Sequence, residues 1–254
     1  MRRIWAVALL LGSLLCLSAP ADAVEVGIRG EYWFPKISGN GQTTTSGVPN
    51  TPYDLQSTLG LQDKNFPFGE AFLRLGRFTI RAGYTQVRYD GQSTLTQDFV
   101  FNGQTYTANI PITSQLELKM VDAQLQFDLL RPDAGVSGFN LGLILGGKYV
   151  DESLQVSSSQ LPAVNESYKL PIPVVGVAAG VGLFKDLIRV DARGVGLAYS
   201  GNHGYDVDAY LSVIPFPFVR LQGGYRYLDV KVDESELILT VKLKGPYAGL
   251  QISF

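Results

Sequence analysis

The chain has 254 residues, a formal net charge of −2 and 46% hydrophobic side chains, with 17% charged residues against about 25% in average soluble domains. It is too apolar for a disordered chain and has no basic run to hold nucleic acid by counterion release, and its one cysteine builds neither a disulfide framework nor a thiolate zinc site. Its 28 glycines and its 13 tyrosines and 13 phenylalanines leave two architectures, a secreted β-sandwich or a β-barrel in lipid.

Residues 1–23 have the form of a secretory signal peptide. Met1-Arg2-Arg3 is a positive start, Ile4 to Leu17 an apolar stretch, and Ala21-Asp22-Ala23 a small-residue cleavage signal. Cys16 lies inside this segment with Leu15 before it, which does not fit a lipid-attachment signal. The expected mature domain is 24–254, without cysteine.

From there the chain alternates with period 2 in segments of about ten residues, and helical periodicity is nearly absent. Val26, Ile28, Gly30, Tyr32 and Phe34 oppose Glu25, Arg29 and Glu31. Ala71, Leu73 and Leu75 oppose Glu70, Phe72 and Arg74, and Phe78, Ile80, Ala82 and Tyr84 oppose Thr79, Arg81 and Gly83. Val121 to Leu129 opposes Asp122, Gln124, Gln126 and Asp128. Phe139, Leu141, Leu143, Leu145 and Tyr149 oppose Asn140, Gly142, Gly146 and Lys148. Val175, Val177, Ala179, Val181 and Leu183 oppose a run of small residues from Gly176 to Gly182. Ile188, Val190 and Ala192 oppose Arg189, Asp191 and Arg193. Tyr205, Val207, Ala209 and Leu211 oppose Asp206, Asp208 and Tyr210, and Val219, Leu221 and Tyr225 oppose Arg220, Gln222 and Arg226. A tenth segment runs from about Leu237 to Phe254, with an irregularity expected at Gly245-Pro246.

The connectors alternate too. Short ones are expected near Gly76, Pro132, Lys185-Asp186 and Pro215 to Pro217; longer polar ones run from about Ile37 to Phe66, Asp90 to Thr113, Asp151 to Lys169 and Ser200 to Gly204. Transmembrane barrels show this asymmetry of short periplasmic turns and longer outer loops. Asn102-Gly103 inside the second long link predicts a tight primed hairpin.

A sandwich also alternates. Here, however, charge keeps to one face and Val, Leu, Ile and Phe to the other in nearly every segment. Phenylalanines (127, 139, 184, 216, 218) gather at the short-turn end and tyrosines (32, 84, 149, 225) at the other, as in the aromatic girdles of membrane barrels. The fold expected is all-β, a transmembrane antiparallel up-and-down β-barrel of about 10 strands, with 8 to 12 compatible with the pattern.

The signal peptide, ten-residue strands and terminal Leu250-Gln251-Ile252-Ser253-Phe254 resemble Gram-negative outer-membrane β-barrel proteins of the small porin-like kind. Gly224-Tyr225-Arg226-Tyr227-Leu228 and Gly245 to Leu250 are similar to the last two strands of such proteins. The resemblance implies location in the bacterial outer membrane, contact with lipid and lipopolysaccharide, and an assembly signal in Leu250, Ile252 and Phe254 read by the barrel assembly machinery.

With apolar residues facing lipid, the lumen is expected to hold Glu25, Glu31, Glu70, Asp122, Asp128, Asp191, Asp206 and Asp208 against Arg29, Arg74, Arg81, Lys148, Arg189, Arg193, Arg220 and Arg226, with Lys242 and Lys244 as possible additions. This balance suits a charge network better than an ion-selective pore. The expected function is structural, or passage of small solutes, without cofactor or metal. A hydrolase, or an interaction protein working through the loops from Ile37 to Phe66 and Asp90 to Thr113, is the alternative. His203, the only histidine, precedes Asp206 and Asp208; this matches neither the Asp-x-His of omptin-type proteases nor, with Tyr205 two residues on, the His-x-Ser of lipid A deacylases. Catalysis is therefore not expected. Asp229, Asp233, Glu234 and Glu236 read as an acidic solvated loop.

Overall fold

Ten antiparallel staves close on themselves, first against last. The computed structural model describes residues 24–131, 138–184, 187–199, 201–234 and 237–254. The expected cleavage signal at Ala21 and Ala23, and the turns at Pro132 and Lys185-Asp186, lie outside the described residues. The strands are β1 (Val24–Trp33), β2 (Lys36–Thr45), β3 (Val48–Pro49), β4 (Tyr53–Asp54), β5 (Phe66–Leu75), β6 (Phe78–Thr94), β7 (Phe99–Phe101), β8 (Gln104–Tyr106), β9 (Pro111–Leu130), β10 (Phe139–Ser158), β11 (Val164–Leu183), β12 (Ile188–Tyr199), β13 (Asn202–Phe216), β14 (Val219–Glu234) and β15 (Leu237–Ser253).

Long strands pair in sequence order, and β15 returns to β1, from Gly27 opposite Ser253 to Trp33 opposite Tyr247. Above that point β15 pairs with β2, from Lys36 opposite Lys244 to Thr43 opposite Leu237. β1 and β2 are thus one stave, broken at Phe34-Pro35, where proline has no N–H for the ladder. The irregularity expected at Gly245-Pro246 falls in this neighbouring stave, because β15 itself is continuous. The Phe34 N–H donates to the Pro246 carbonyl at 3.0 Å, and the Trp33 indole N–H to the Gly245 carbonyl at 3.0 Å. A Cβ at Gly245 would lie 2.1 Å from the Phe34 carbonyl oxygen, so glycine makes room for the break.

Both termini of the barrel share an end with the short turn at Gly76-Arg77, which makes that end periplasmic. Phe78, Phe139, Phe184, Phe216, Phe218 and Phe254 are exposed there, and Tyr32, Tyr84, Tyr149, Tyr205 and Tyr225 are exposed higher up. Between these girdles Ile28, Ile80, Leu125, Leu145, Val177 and Leu211 face outward. A soluble protein would leave this belt in water; lipid covers it.

Several staves continue past the upper girdle, and their polarity inverts as they leave it. In the 20-residue β9, Val121, Leu125, Phe127 and Leu129 point out while Asp122, Gln124, Gln126 and Asp128 point in. Above Val121 the sense reverses: Gln115, Glu117 and Lys119 point out, and Ile112, Leu116, Leu118 and Met120 are buried inside. β10 turns over between Lys148 and Val150, and β14 between Arg226 and Leu228. The expected polar lumen is therefore confined to the membrane half. Lys242 and Lys244 are corrected by the same inversion: Leu239, Val241 and Leu243 take the inner face of β15, which turns both lysines outward.

The predicted hairpin is present as β7 and β8, with Asn102 at φ 47° and Gly103 at φ 75°, the left-handed pair a primed turn requires. Its residues Phe99, Phe101 and Tyr106 fold inward to meet Tyr53, Leu55, Leu59 and Leu61 from the first long link. These two links, expected to be polar surface loops, contribute much of the apolar core that fills the outer barrel.

Candidate functional site

The lumen consists of three layers. The outermost is the apolar core, with Leu55, Leu59, Tyr89, Phe101, Tyr106, Leu116 and Val156 fully out of solvent. Aromatic edges lock it: Tyr53 stands at 79° to Phe99 with centroids 5.8 Å apart, and Trp33 at 67° to Phe66 at 5.3 Å. The Tyr106 hydroxyl donates to the Val156 carbonyl at 3.2 Å, tying the hairpin to the wall.

One acid is buried in this layer. Glu152 lies three residues beyond the girdle residue Tyr149, level with the outward Asp151 and Lys119, and so outside the membrane-spanning region. Its Oε1 has no hydrogen-bond partner among the described residues. Burial alone pushes its carboxyl up to about 8. Tyr53 and Tyr89 of the same apolar core are pushed above their ordinary value chiefly by burial and stay neutral. An unfolded glutamate ionises near its ordinary pKa of about 4.3, whereas the folded chain holds the Glu152 proton until about pH 8. The proton thus favours the folded state at low pH, and that advantage is lost as pH rises through about 8. Glu152→Gln should flatten this dependence. Thermal midpoints at pH 5 and pH 9 should show a drop in the parent chain that the variant lacks, worth on the order of a few kcal/mol; equal slopes would remove Glu152 as the cause.

The middle layer is ionic. Arg226 forms a bidentate pair with Asp206 at 2.9 and 2.7 Å, reaches Glu31 at 3.9 Å, and lies over the Phe68 ring at 4.4 Å. Lys148 joins Asp206 (3.1 Å) to Asp122. Arg29 touches Glu31 at 3.0 Å, Glu70 at 3.5 Å and Asp208 at 3.7 Å. Arg193 reaches Glu70 at 3.0 Å and Asp208 at 3.6 Å, and Arg81 reaches Glu70 at 3.8 Å. The Tyr247 hydroxyl donates to Asp208 at 2.7 Å. Ten of the sixteen lumen charges expected from sequence thus form one connected cluster. All but Arg81 and Arg193 are among the buried residues.

The remaining six lie nearer the periplasmic end. Arg74 pairs with Glu25 at 2.7 Å. Arg189 grips Asp191 through Nε (3.3 Å) and Nη2 (2.9 Å), and Nη2 also donates to Asn140 at 2.7 Å. Gly180 makes room for this group, since a Cβ there would fall 2.1 Å from an Asp191 oxygen. Asp128 accepts a hydrogen bond from Gln126, and Arg220 has no carboxylate partner among the described residues. Atoms of the neighbouring strands stand 2.1 to 2.6 Å from where a Cβ would sit on Gly142, Gly146 and Gly176, so glycine allows the close approach there.

His203 is on the opposite face of β13 from Asp206 and Asp208. Its Nε2 is 3.3 Å from Asp229 on the outer side of the wall, where the buried Asp229 carboxylate also accepts from Tyr227 at 2.8 Å and meets Lys242 at 3.4 Å. Asp233 pairs with Lys231 at 2.7 Å. Among the described residues no group of acids, histidines or cysteines is arranged to hold a metal. Leu250 and Phe254 face lipid, and Phe254 stacks on Phe218 with centroids 5.4 Å apart.

No protein-family model and no curated protein matches the sequence. Solved structures do. The outer-membrane protease OmpT of Escherichia coli aligns over 92% of this chain and 99% of its own, with a TM-score of 0.65 at 11% identity. The attachment invasion locus protein Ail of Yersinia pestis (TM-score 0.41, 12% identity) and Neisserial surface protein A (0.34, 13%) each align over 92% of this chain and 100% of their own. At 11% identity the likeness to OmpT is one of fold. With the closed strand order and the apolar belt between its girdles, it makes this chain a ten-stranded β-barrel of the outer-membrane kind.

Proposed function

We propose that the protein is a closed, non-conducting barrel with a structural role in the outer membrane, holding a rigid polar-walled turret above the lipid. The observation that carries this reading is the apolar core across the outer lumen, in which Leu55, Phe101, Tyr106 and Val156 are fully buried. An aqueous path for small solutes would have to pass it, then pass the ionic layer beneath. The balanced charges of that layer are spent on one another and leave no single-sign ring to select ions. Among the described residues the fold shared with a protease brings no catalytic arrangement: Asp229 is held by tyrosine, lysine and histidine on the outer side of the wall, and the lumenal acids of the membrane half are paired with arginine or lysine except Asp128, which accepts from Gln126.

Contact with lipopolysaccharide is part of the same reading. Outward Lys36, Arg88, Lys119, Lys169, Lys242 and Lys244 lie above the tyrosine girdle, at the level where phosphorylated headgroups meet the wall. The lipid-facing Leu250, Ile252 and Phe254 are the surface offered to the assembly machinery.

Planar-bilayer recording tests closure. The purified chain should give no stable conductance steps at moderate voltage, while a porin in the same bilayer does. Reproducible steps that depend on this protein would replace the structural reading with solute passage.

A further inference from the structure

The third layer of the lumen is a cavity of about 440 Å³ at the periplasmic mouth, bordered by the turn residues Gly76, Arg77, Arg131 and Gly138. Eight arginines line it against four acids, Glu25, Glu70, Asp128 and Asp191. The even balance of the ionic layer does not extend here. Glu25 is taken by Arg74, Asp191 by Arg189, and Glu70 by Arg29, Arg81 and Arg193 together. Arg77, Arg131 and Arg220 reach no carboxylate among the described residues, while Asp128 alone of the four acids lacks a cation.

Like charges confined in a concave, low-dielectric wall repel one another and focus a positive potential into the space between them. Guanidinium groups meet carboxylate and phosphate oxygens two at a time, and the volume lies within the range of small-molecule pockets. Gln251, Ser212 and Asn140 add neutral hydrogen-bonding groups to the lining. On the closed-barrel reading proposed above, on which this step rests, access is from the periplasmic side.

We propose that this vestibule binds a small periplasmic oligo-anion, a molecule carrying two or more carboxylate or phosphate groups, with Arg220 and Arg77 as its principal unneutralised contacts. Neither arginine neutralises a buried acid, so replacing them leaves the ionic layer intact.

The test uses the full mature chain folded in zwitterionic detergent at low ionic strength, titrated calorimetrically with inorganic pyrophosphate, with citrate and with acetate. Saturable binding of pyrophosphate or citrate, at least tenfold weaker in Arg77→Gln/Arg220→Gln and unchanged in the outer-wall variant Arg88→Gln, is expected, with acetate giving no saturable signal. Pyrophosphate alone assigns a phosphorylated ligand, citrate alone a polycarboxylate, and both a site for either. Heat-modifiable gel mobility verifies that each variant is folded. Arg77→Gln, at an exposed turn, serves by itself if the double variant does not fold, and should weaken binding severalfold. No saturable binding to the parent chain, or equal affinity in the variants, overturns the proposal.

Discussion

Arg226→Met should destabilise the barrel by about 3–5 kcal/mol, the cost of leaving a buried charge without its partner. The guanidinium makes a two-bond pair with Asp206, reaches Glu31 and lies over Phe68. Methionine preserves much of the side-chain volume, so the loss reports charge rather than a cavity. Asp206 keeps Lys148 at 3.1 Å, but that ammonium is already shared with Asp122. The double variant Arg226→Met/Asp206→Asn should recover part of the loss, because it removes the stranded carboxylate as well. Urea titration in micelles, read by the mobility difference between folded and unfolded bands, gives the midpoints, and a double-mutant cycle isolates the pair. A loss under about 1 kcal/mol would mean that water or a neighbour replaces the arginine, contrary to a sealed ionic layer.

Phe101→Ala should cost about 3–5 kcal/mol, the range for deleting a fully buried aromatic side chain. In a chain of this size that corresponds to a fall of roughly 10 °C in thermal midpoint. Phe101 is fully buried between Tyr53 and Phe99, on a hairpin held by Tyr106 and by the Asn102 N–H bonded to Thr43. The same variant should still be electrically silent, because the ionic layer beneath closes the lumen a second time. A marginal change in midpoint would show that the hairpin rests loosely on the mouth and does not form part of its core. Conductance appearing with Phe101→Ala would show that the apolar layer is the sole seal.

The membrane half was legible because side-chain period and lipid contact give the same instruction at every step. Ile28, Ile80 and Leu125 had to point away from Arg29, Arg81 and Gln126, and they do. Asn102-Gly103 was readable because few other pairs accept two positive φ values in succession. The outer half was not readable by the same rule. Ile112 to Met120 alternates as cleanly as Val121 to Leu129, but alternation does not state which face is wet. Where the wall leaves lipid, water takes the outside and the apolar set must turn in. The available signal was the change of partner across one step, from Lys119 beside Met120 to Val121 beside Asp122. Register was the other missing quantity. Parity puts Arg193 and Glu70 in the lumen, but their contact spans the barrel between residues 123 apart in sequence, and only closure brings them together. Glu152 escaped notice because it follows Asp151 in a polar link, where nothing local marks it as buried.

The inversion in β9, β10 and β14 has a mechanical consequence. Each of these staves carries its own waterline, and the fixed antiparallel register ties the waterlines into one ring. Sliding the barrel inward by one residue pair would drag Lys119, Asp151 and Asp229 toward hydrocarbon; sliding it outward would strand Val121 in the headgroups and lift Tyr225 past them. From Val121 to Leu129 the lipid-facing stretch of β9, at about 3.4 Å per residue and a tilt of about 40°, covers on the order of 20 Å along the membrane normal. The protein therefore matches a thin bilayer and would compress a thicker one around its waist, so hydrophobic matching and the two aromatic girdles set its vertical position together.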